Sequence, residues 1–226
     1  MQSKRIIVTG IGNHTASASA ALPAAEPAES HAAMNDTMND TPRTSRIPAF
    51  PSIEAAPAAS RPLLDAVHAA FGAVPNLFRV AAHSPAALEG LLGLHGALGK
   101  GAIDAATRER VALAIAEYDG CRYCLAAHAW LGARLAGLDA DEIAQNRRGR
   151  SHDLRADAAL RFARRVAESR GHVGSGDLAA VREAGYGDGE LVELVALVAL
   201  NVLTNYLNEV AQTDIDFPVP AEPAAA

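Results

Sequence analysis

Helix-start signals recur along most of this 226-residue chain and leave little room for other secondary structure. Serine or aspartate ahead of a helix-favouring apolar segment is a common N-terminal signature of an α-helix. No segment alternates between apolar and polar residues for long enough to predict a strand. The predicted fold class is therefore all-α. The helices are predicted at residues 63–71, a short segment after 76, 84–98, 104–117, 121–136, a short segment after 139, 154–169, a short segment after 177, and 190–212.

The first 45 residues differ from the rest of the chain. They are rich in alanine, serine, threonine, asparagine and proline and show no sustained apolar periodicity, so residues 1–45 are predicted to be a disordered, low-complexity tail. Residues 221–226 are predicted to be disordered as well. The remaining residues, 46–220, are predicted to form one domain, which is large enough to bury a core without a structural disulfide.

Charge and hydropathy exclude several classes of protein. The formal net charge is −6, and no broad basic face indicates a nucleic-acid partner. The most apolar segment, residues 191–203, contains Glu193 and Asn201 and is shorter than a membrane span, so it is interpreted as a buried helix or an oligomer interface. Two closely spaced cysteines in an otherwise cysteine-free chain favour a reducing compartment, and we expect a cytoplasmic protein.

Cys121 and Cys124 are the only cysteines, and His128 follows them by one helical turn. At about 100° per residue the three side chains share one face of a helix, and Cα atoms three positions apart lie about 5 Å apart, within the span of a disulfide. Gly120 precedes Cys121, so the cysteines are expected in the first turn, where the helix dipole favours a thiolate, more so at Cys121. The pattern predicts reversible thiol–disulfide chemistry.

Other interpretations of the same residues remain open. Cys121, Cys124, His128 and Glu109 are all ligand types that suit Zn²⁺, although the second Cys/His pair of a structural zinc site is absent. The cysteines could also be small buried apolar residues. A haem attachment motif is excluded because Leu125, and not a histidine, follows the second cysteine.

The spacing around the cysteines resembles that of a known family. Glu109, eleven residues, and then Cys121, Cys124 and His128 match the motif of alkylhydroperoxidase D-like proteins of the carboxymuconolactone decarboxylase superfamily. The flanking sequences are similar to its peroxidase-related branch over about residues 47–218. These sequences are VPNLFR at 74–79, AHSP at 82–85, NYLNEVAQT at 205–213 and DFP at 216–218.

The resemblance implies an alkylhydroperoxidase D-like helical bundle that assembles as a trimer or hexamer. It also implies a peroxidase that reduces organic hydroperoxides or hydrogen peroxide without metal, haem or flavin. By this resemblance Glu109 acts through His128 and a water to deprotonate Cys124, which attacks the peroxide. Cys121 then forms a disulfide with Cys124, and a cellular dithiol reduces it.

Some residues near the motif are expected at the site. Tyr123 stands where well-known members have a second histidine, and Tyr123 and Glu117 are expected as pocket residues. Asn205 and Asn208 are further candidates to line the site, whereas His95 is interpreted as a packed or capping histidine. The alternatives to a peroxidase are a redox adaptor that passes electrons to a peroxiredoxin or other partner, a carboxymuconolactone-type decarboxylase, and a zinc-binding module.

Overall fold

The computed structural model describes residues 45–219, and every regular element within them is an α-helix. The all-α prediction is thereby confirmed. The two predicted tails, residues 1–45 and 221–226, lie outside the described residues apart from Ser45. The helices are α1 (Arg61–Phe71), α2 (Asn76–Ala81), α3 (Pro85–Leu98), α4 (Ala105–Asp119), α5 (Arg122–Leu135), α6 (Ala140–Arg147), α7 (Leu154–Glu168), α8 (Ser175–Glu183) and α9 (Asp188–Ala211).

Side-chain caps begin three of the helices as the sequence predicts. Ser84, Asp104 and Asp139 precede α3, α4 and α6, and each side chain accepts a hydrogen bond from the backbone N–H three positions later. The distances are 3.2, 2.9 and 2.8 Å. Each cap satisfies an N–H that the helix itself leaves without a partner, which stabilises a helix by about 1 kcal/mol.

Several predicted helix boundaries shift by one or two residues, and two of these shifts have a clear local cause. Helix α8 begins at Ser175, before Asp177, because the Asp177 carboxylate reaches back to the Gly174 N–H at 2.8 Å and so lies inside the first turn. Helix α4 continues to Asp119, two residues beyond the predicted end at Glu117, because Gly120 supplies the break. A boundary set by backbone conformation is harder to locate from sequence than one set by a capping side chain.

Helix α4 is the centre of the fold and packs against α5, α6, α7 and α9. The main apolar core lies where α1, α3, α4, α7 and α9 meet, with Leu64, Leu88, Ile115, Leu160 and Leu194 fully buried. A second apolar cluster lies where α4, α5 and the segment after α5 meet, and it contains both cysteines. The cysteine pair therefore sits inside the fold, between α4 and the helix that carries it.

The apolar segment 191–203, which the sequence analysis judges too short to span a membrane, lies within α9. In the structure α9 has 24 residues, and among the described residues it is the one helix whose length and hydropathy would allow a span. It packs against α2, α3, α4, α5 and α7, and it buries Asn201, Asn205 and Asn208 against the domain. These contacts are those of a core helix, as the sequence interpretation of residues 191–203 allowed.

Candidate active site

A sharp turn between α4 and α5 places both cysteines. Gly120 ends α4 with a φ of 70°, a left-handed conformation that glycine adopts without steric cost. Cys121 then stands just before α5 as its N-cap, and its Sγ accepts a hydrogen bond from the Cys124 N–H at 3.3 Å. The helix therefore begins one residue later than predicted, and the Cys121 sulfur occupies the position of a capping oxygen.

The two thiols are free, buried and adjacent. Cys121 is 0% exposed and Cys124 is 2% exposed. The two thiols approach each other to about 2.8 Å. Little movement separates this arrangement from the geometry of a disulfide, so the pair can be oxidised without rebuilding the helix.

The pKa values of the two thiols shift in opposite directions. A hydrogen bond from the Cys124 side chain lowers the pKa of Cys121, against the effect of burial, and the Cys124 N–H lowers it further. Burial raises the pKa of Cys124 well above its usual value, and the adjacent Cys121 sulfur raises it further. In the reduced pair, Cys121 is therefore the first to carry the charge, while Cys124 keeps its proton. This order agrees with the argument from helix position.

Glu109 and His128 form an ion pair or hydrogen bond that joins α4 to α5. Glu109 Oε2 lies 2.8 Å from His128 Nδ1, and each side chain is 23% exposed. A carboxylate at Nδ1 fixes the proton on that nitrogen, which leaves Nε2 as the acceptor of a neutral ring. The helices approach closely here because position 132 is glycine. A Cβ at Gly132 would lie 3.1 Å from Leu138 Cδ1 and 3.9 Å from Glu109 Cβ.

Cys124, His128 and Glu109 line one cavity of about 280 Å³. Its walls are mainly apolar and include the aromatic rings of Phe71, Phe78 and Phe217. Cys121 is not among the lining residues, so Cys124 is the sulfur that a small molecule in the cavity meets. The structure thus brings the three motif residues Glu109, Cys124 and His128 to one surface and keeps the fourth, Cys121, beneath it.

Helix α9 supplies polar contacts to the sulfur from outside the motif. Asn208 Nδ2 donates a hydrogen bond to Cys124 Sγ at 3.3 Å. The Thr204 side chain lines the same cavity and acts to lower the pKa of the Cys124 thiol, against the larger effect of burial. Asn205, the other asparagine considered from the sequence, bonds Asp119 Oδ2 at 2.8 Å instead.

Tyr123 has a mainly structural position at the edge of the cavity. Its hydroxyl donates to Asp216 Oδ1 at 2.8 Å and accepts the Leu77 N–H at 3.1 Å, so it ties the segment after α9 to α2 and α5. Burial raises the pKa of Tyr123 well above its usual value, and the Asp216 carboxylate raises it further. The phenol therefore stays protonated at neutral pH.

Glu117, the second expected pocket residue, does not line the cavity. Its Oε2 lies 2.6 Å from Arg147 Nε, and this pair joins α4 to α6. On a helix, residues 109 and 117 are eight positions apart, which places their side chains about 80° apart around the axis and more than two turns apart along it. The expectation that Glu117 lines the pocket is therefore wrong, because nearness to the cysteines in sequence does not turn its side chain towards the cavity.

His95 is a cavity residue that the sequence interpretation assigned to packing. It lines the cavity together with Arg108 and keeps accessible surface there. The protein around it lowers the pKa of His95 by desolvation, Glu109 opposes this effect, and His128 and Arg108 reinforce it. The helical stripe that it shares with Leu88 and Leu91 gave no signal of this role, because the partners come from α4 and α5.

The zinc alternative gains no support from the geometry. Within residues 45–219, no three or more histidine, cysteine, aspartate or glutamate side chains form a group that could hold a metal ion. The motif residues are instead arranged as two pairs. The Cys121–Cys124 pair lies in the apolar cluster, and the Glu109–His128 pair faces the cavity.

Comparison with known proteins gives a family match over part of the chain and a shared fold. Residues 85–169 match the carboxymuconolactone decarboxylase family, and this stretch contains all four motif residues but not α9. No curated protein matches the chain.

Two solved structures described as peroxidase-related proteins share the fold. An uncharacterized peroxidase-related protein from Ralstonia eutropha JMP134, described as an alkylhydroperoxidase AhpD core, is 26% identical, with a TM-score of 0.68 over 76% of this chain and 92% of its own. An uncharacterized peroxidase-related protein from Silicibacter sp. TM1040 is 20% identical, with a TM-score of 0.65 over 78% of this chain and 94% of its own.

A third structure has the same fold and a different described activity. It is a cysteine-to-alanine variant of the debrominase Bmp8 in complex with 2,3,4-tribromopyrrole. It is 17% identical to this chain, with a TM-score of 0.64 over 77% of this chain and 93% of its own. At this level of identity the likeness concerns the fold alone.

Proposed function

Since residues 85–169 match the carboxymuconolactone decarboxylase family and the fold is shared with an alkylhydroperoxidase AhpD core, we propose that the chain is a thiol-dependent peroxidase. Its substrates are organic hydroperoxides or hydrogen peroxide, and its redox centre is the Cys121–Cys124 dithiol. The single observation that carries the proposal is the position of Cys124. Its sulfur lines an apolar cavity that Glu109 and His128 also line, and a second thiol lies in contact behind it.

The first step is the loss of the Cys124 proton. Burial and the Cys121 sulfur keep this proton in place, so a base is required. His128 Nε2 is free to accept it through a water molecule, because the carboxylate of Glu109 holds the other ring nitrogen. The Cys124 thiolate then attacks one peroxide oxygen and breaks the O–O bond. The proton passes to the departing oxygen, so a thiol and ROOH become a sulfenic acid and ROH.

The second step forms the disulfide. Cys121 is the thiol with the lowered pKa, and it lies in contact with Cys124. Its thiolate attacks the sulfur of the Cys124 sulfenic acid and displaces hydroxide, which takes a proton and leaves as water. The acidic thiol therefore acts as the resolving residue, and the thiol that faces the cavity acts as the attacking residue. This division resolves the conflict between helix position, which favours Cys121, and the family assignment, which favours Cys124.

The third step returns the pair to the thiol state. An external dithiol attacks Cys124, Cys121 leaves as a thiolate, and the second external thiol releases Cys124. The complete cycle converts ROOH and a dithiol into ROH, water and a disulfide. Cys121 suits the leaving position because a thiol of low pKa leaves faster.

The chain offers a direct test of this cycle. Trypsin cleaves after Arg110, Arg122 and Arg134, so Cys121 and Cys124 fall on separate peptides, residues 111–122 and 123–134. Reduced protein is treated with one equivalent of cumene hydroperoxide and digested without reductant. We expect the two peptides to be joined by a disulfide and one equivalent of 2-phenyl-2-propanol to form. Two free peptides with unconsumed peroxide would refute the proposal.

A second candidate, reductive dehalogenation of an aromatic compound, is favoured by the aromatic rings in the cavity wall and by the fold shared with the debrominase. The same two electrons would convert an aryl bromide and two thiols into the unhalogenated ring, bromide, a proton and the disulfide. The peptide assay is repeated with 2,3,4-tribromopyrrole in place of the peroxide. Bromide release that is faster than peroxide consumption would favour this reaction over the first.

The redox-adaptor alternative fits the geometry less well. A protein partner would have to bring its thiol to Cys124, which is 2% exposed and is reached through the cavity. A carboxymuconolactone-type decarboxylase would not need the dithiol. Fast disulfide exchange with a protein partner combined with slow peroxide turnover would nevertheless support the adaptor.

A further inference from the structure

Asn208 contacts the attacking sulfur from a helix that lies outside the four-residue motif. Its Nδ2 lies 3.3 Å from Cys124 Sγ, across 84 residues of sequence, and the residue is 2% exposed. Cys124 Sγ is the only hydrogen-bond acceptor that the structure gives this amide group among residues 45–219. The amide oxygen, Oδ1, is buried and has no hydrogen-bond partner in the same part of the chain.

A buried asparagine whose amide oxygen has no hydrogen-bond partner lowers the stability of the fold, so packing alone does not explain Asn208. An unpaired buried amide oxygen destabilises a fold by about 1–3 kcal/mol, whereas a leucine of similar size would carry no such penalty. The amide is therefore better explained by what Nδ2 does than by stability. Its partner is a sulfur that must become negatively charged inside an apolar cluster.

Thr204 is a weaker candidate for the same task. Its side chain lies one helical turn before Asn208 and lines the same cavity as Cys124. Its hydroxyl has a single proton, which it donates to the Asn201 carbonyl at 3.0 Å. The amide of Asn208 donates to Cys124 Sγ without such competition, so Asn208 is the stronger candidate donor.

We propose that Asn208 is a catalytic residue of the dithiol site, and that its side-chain amide holds the negative charge on Cys124 Sγ when that sulfur loses its proton. The inference rests on the proposed function, in which the Cys124 thiolate is the nucleophile. A hydrogen bond to a charged acceptor is about twice as strong as one to a neutral acceptor. The contact therefore strengthens as Cys124 is deprotonated, which lowers the barrier to the first step.

The test follows the ionisation of Cys124 and does not require peroxide turnover. Reduced protein is alkylated with iodoacetamide between pH 6 and pH 11, and the rate is measured separately for the peptides of residues 111–122 and 123–134. The variants are Asn208→Leu, which removes both amide groups at similar size, and Asn208→Asp, which replaces the donor with an acceptor. Thr213→Val is the control. It removes a different buried polar group, a hydroxyl that has no hydrogen-bond partner among residues 45–219 and bonds neither cysteine.

We expect the pH midpoint for Cys124 alkylation to rise by about one unit in Asn208→Leu and by more in Asn208→Asp, which corresponds to about a tenfold loss of rate at neutral pH. Thr213→Val should keep the wild-type midpoint. Unchanged midpoints in both Asn208 variants would overturn the inference. So would an equal shift in the control, since a general loosening of the site would then be the cause.

The result separates the inference from the proposed function. A shifted midpoint in a protein that consumes no peroxide would refute the peroxidase and leave the role of Asn208 in ionising Cys124 standing. Thermal unfolding followed by circular dichroism checks each variant. Because Leu at 208 removes an unsatisfied oxygen, its Tm should equal or exceed that of wild type. A lower Tm together with an unshifted midpoint would assign Asn208 to packing and overturn the inference.

Discussion

The Glu109 carboxylate lies 2.8 Å from His128 Nδ1, and this contact joins the second turn of α4 to the middle of α5. The two residues are nineteen positions apart in sequence. They meet because Gly120 allows α5 to fold back along α4 and because Gly132 lets the two helices approach. The contact leaves Nε2 of His128 as the one ring nitrogen able to take a proton from the cavity.

Glu109→Gln tests the importance of this orientation. The amide keeps the size of the side chain but removes the charge that supports a protonated imidazole. We expect kcat/KM for cumene hydroperoxide to fall by about 10²-fold, as is typical when general acid–base catalysis is lost. The fold should persist, and Cys121 and Cys124 should still form a disulfide with a strong chemical oxidant. Wild-type kcat/KM in this variant would remove Glu109 from the mechanism.

The two cysteines should fail in different ways when replaced by serine. Cys124→Ser removes the sulfur that faces the cavity, so we expect no peroxide consumption. Cys121→Ser keeps the attacking sulfur and removes the resolving one. It should consume one equivalent of peroxide and then stop at the sulfenic acid, which dimedone labels on the peptide of residues 123–134.

The reverse pattern is equally informative. Dimedone labelling of Cys121 in the Cys124→Ser variant, with peroxide consumption retained, would exchange the two roles. The lowered pKa of Cys121 makes this outcome physically reasonable, but Cys121 is not exposed and does not line the cavity. Access, more than acidity, therefore decides the prediction.

Local signals in the sequence predicted most of the helices. Ser84, Asp104 and Asp139 cap helices by contacts within three residues, and such contacts can be recognised from the sequence alone. Asp177 misled the prediction because an acidic residue at the third helical position resembles one at the cap. The predicted end of α4 lies two residues too early, because the helix ends where the backbone of Gly120 turns left-handed and not where a side chain caps it.

The motif predicted which residues share the site, but their environment depends on long-range contacts. The spacing of Cys124 and His128 on one helix places them together, and the structure brings Glu109 to the same cavity. Asn208 was only a candidate, since its contact with Cys124 depends on how α9 crosses α5. His95 and Thr204 gave no signal as site residues, because histidine and threonine on an apolar helix face are common in cores.

Glu142 should make the stability of the protein sensitive to acid. Burial acts to raise its pKa, but hydrogen bonds from the His152 N–H, Ser151, Asn146 and Arg110 prevail and lower the pKa to about 2. A glutamate with a depressed pKa stabilises the fold above its unfolded pKa, near 4.5, and this contribution disappears as the pH falls towards 2. At neutral pH the contribution is about 3 kcal/mol.

Urea unfolding of wild type and Glu142→Gln at several pH values checks this prediction. We expect the variant to be less stable by about 3 kcal/mol at pH 7 and the difference to shrink between pH 4.5 and pH 2. Asp141→Asn is a suitable control, because Asp141 is exposed and pairs with an exposed histidine, His152. A difference that stays constant with pH would mean that the charge of Glu142 is not the cause.

The outer face of α9 should form the contact between copies of the chain. Five apolar residues on this helix are 46–70% exposed, and their spacing of three, four or eight positions places them along one side. They are Val192, Val195, Leu203, Tyr206 and Val210. An exposed apolar surface of this length is unusual for a monomer and typical of an interface. This apolar face favours an oligomer in solution, and the trimer or hexamer that the family resemblance implies is the expected assembly.

Light scattering coupled to gel filtration measures the assembly. We expect wild type to have three or six times the mass of one chain. The double variant Val195→Lys, Leu203→Lys should be a monomer with unchanged helical content, because two ammonium groups buried at the contact carry a large desolvation cost. Leu154→Lys is the control, since Leu154 is 86% exposed on α7 and lies apart from this face. A monomeric wild type, or a double variant of unchanged mass, would contradict the prediction. If that monomer also sedimented with lipid vesicles, and the double variant did not, the apolar face would be a membrane contact instead.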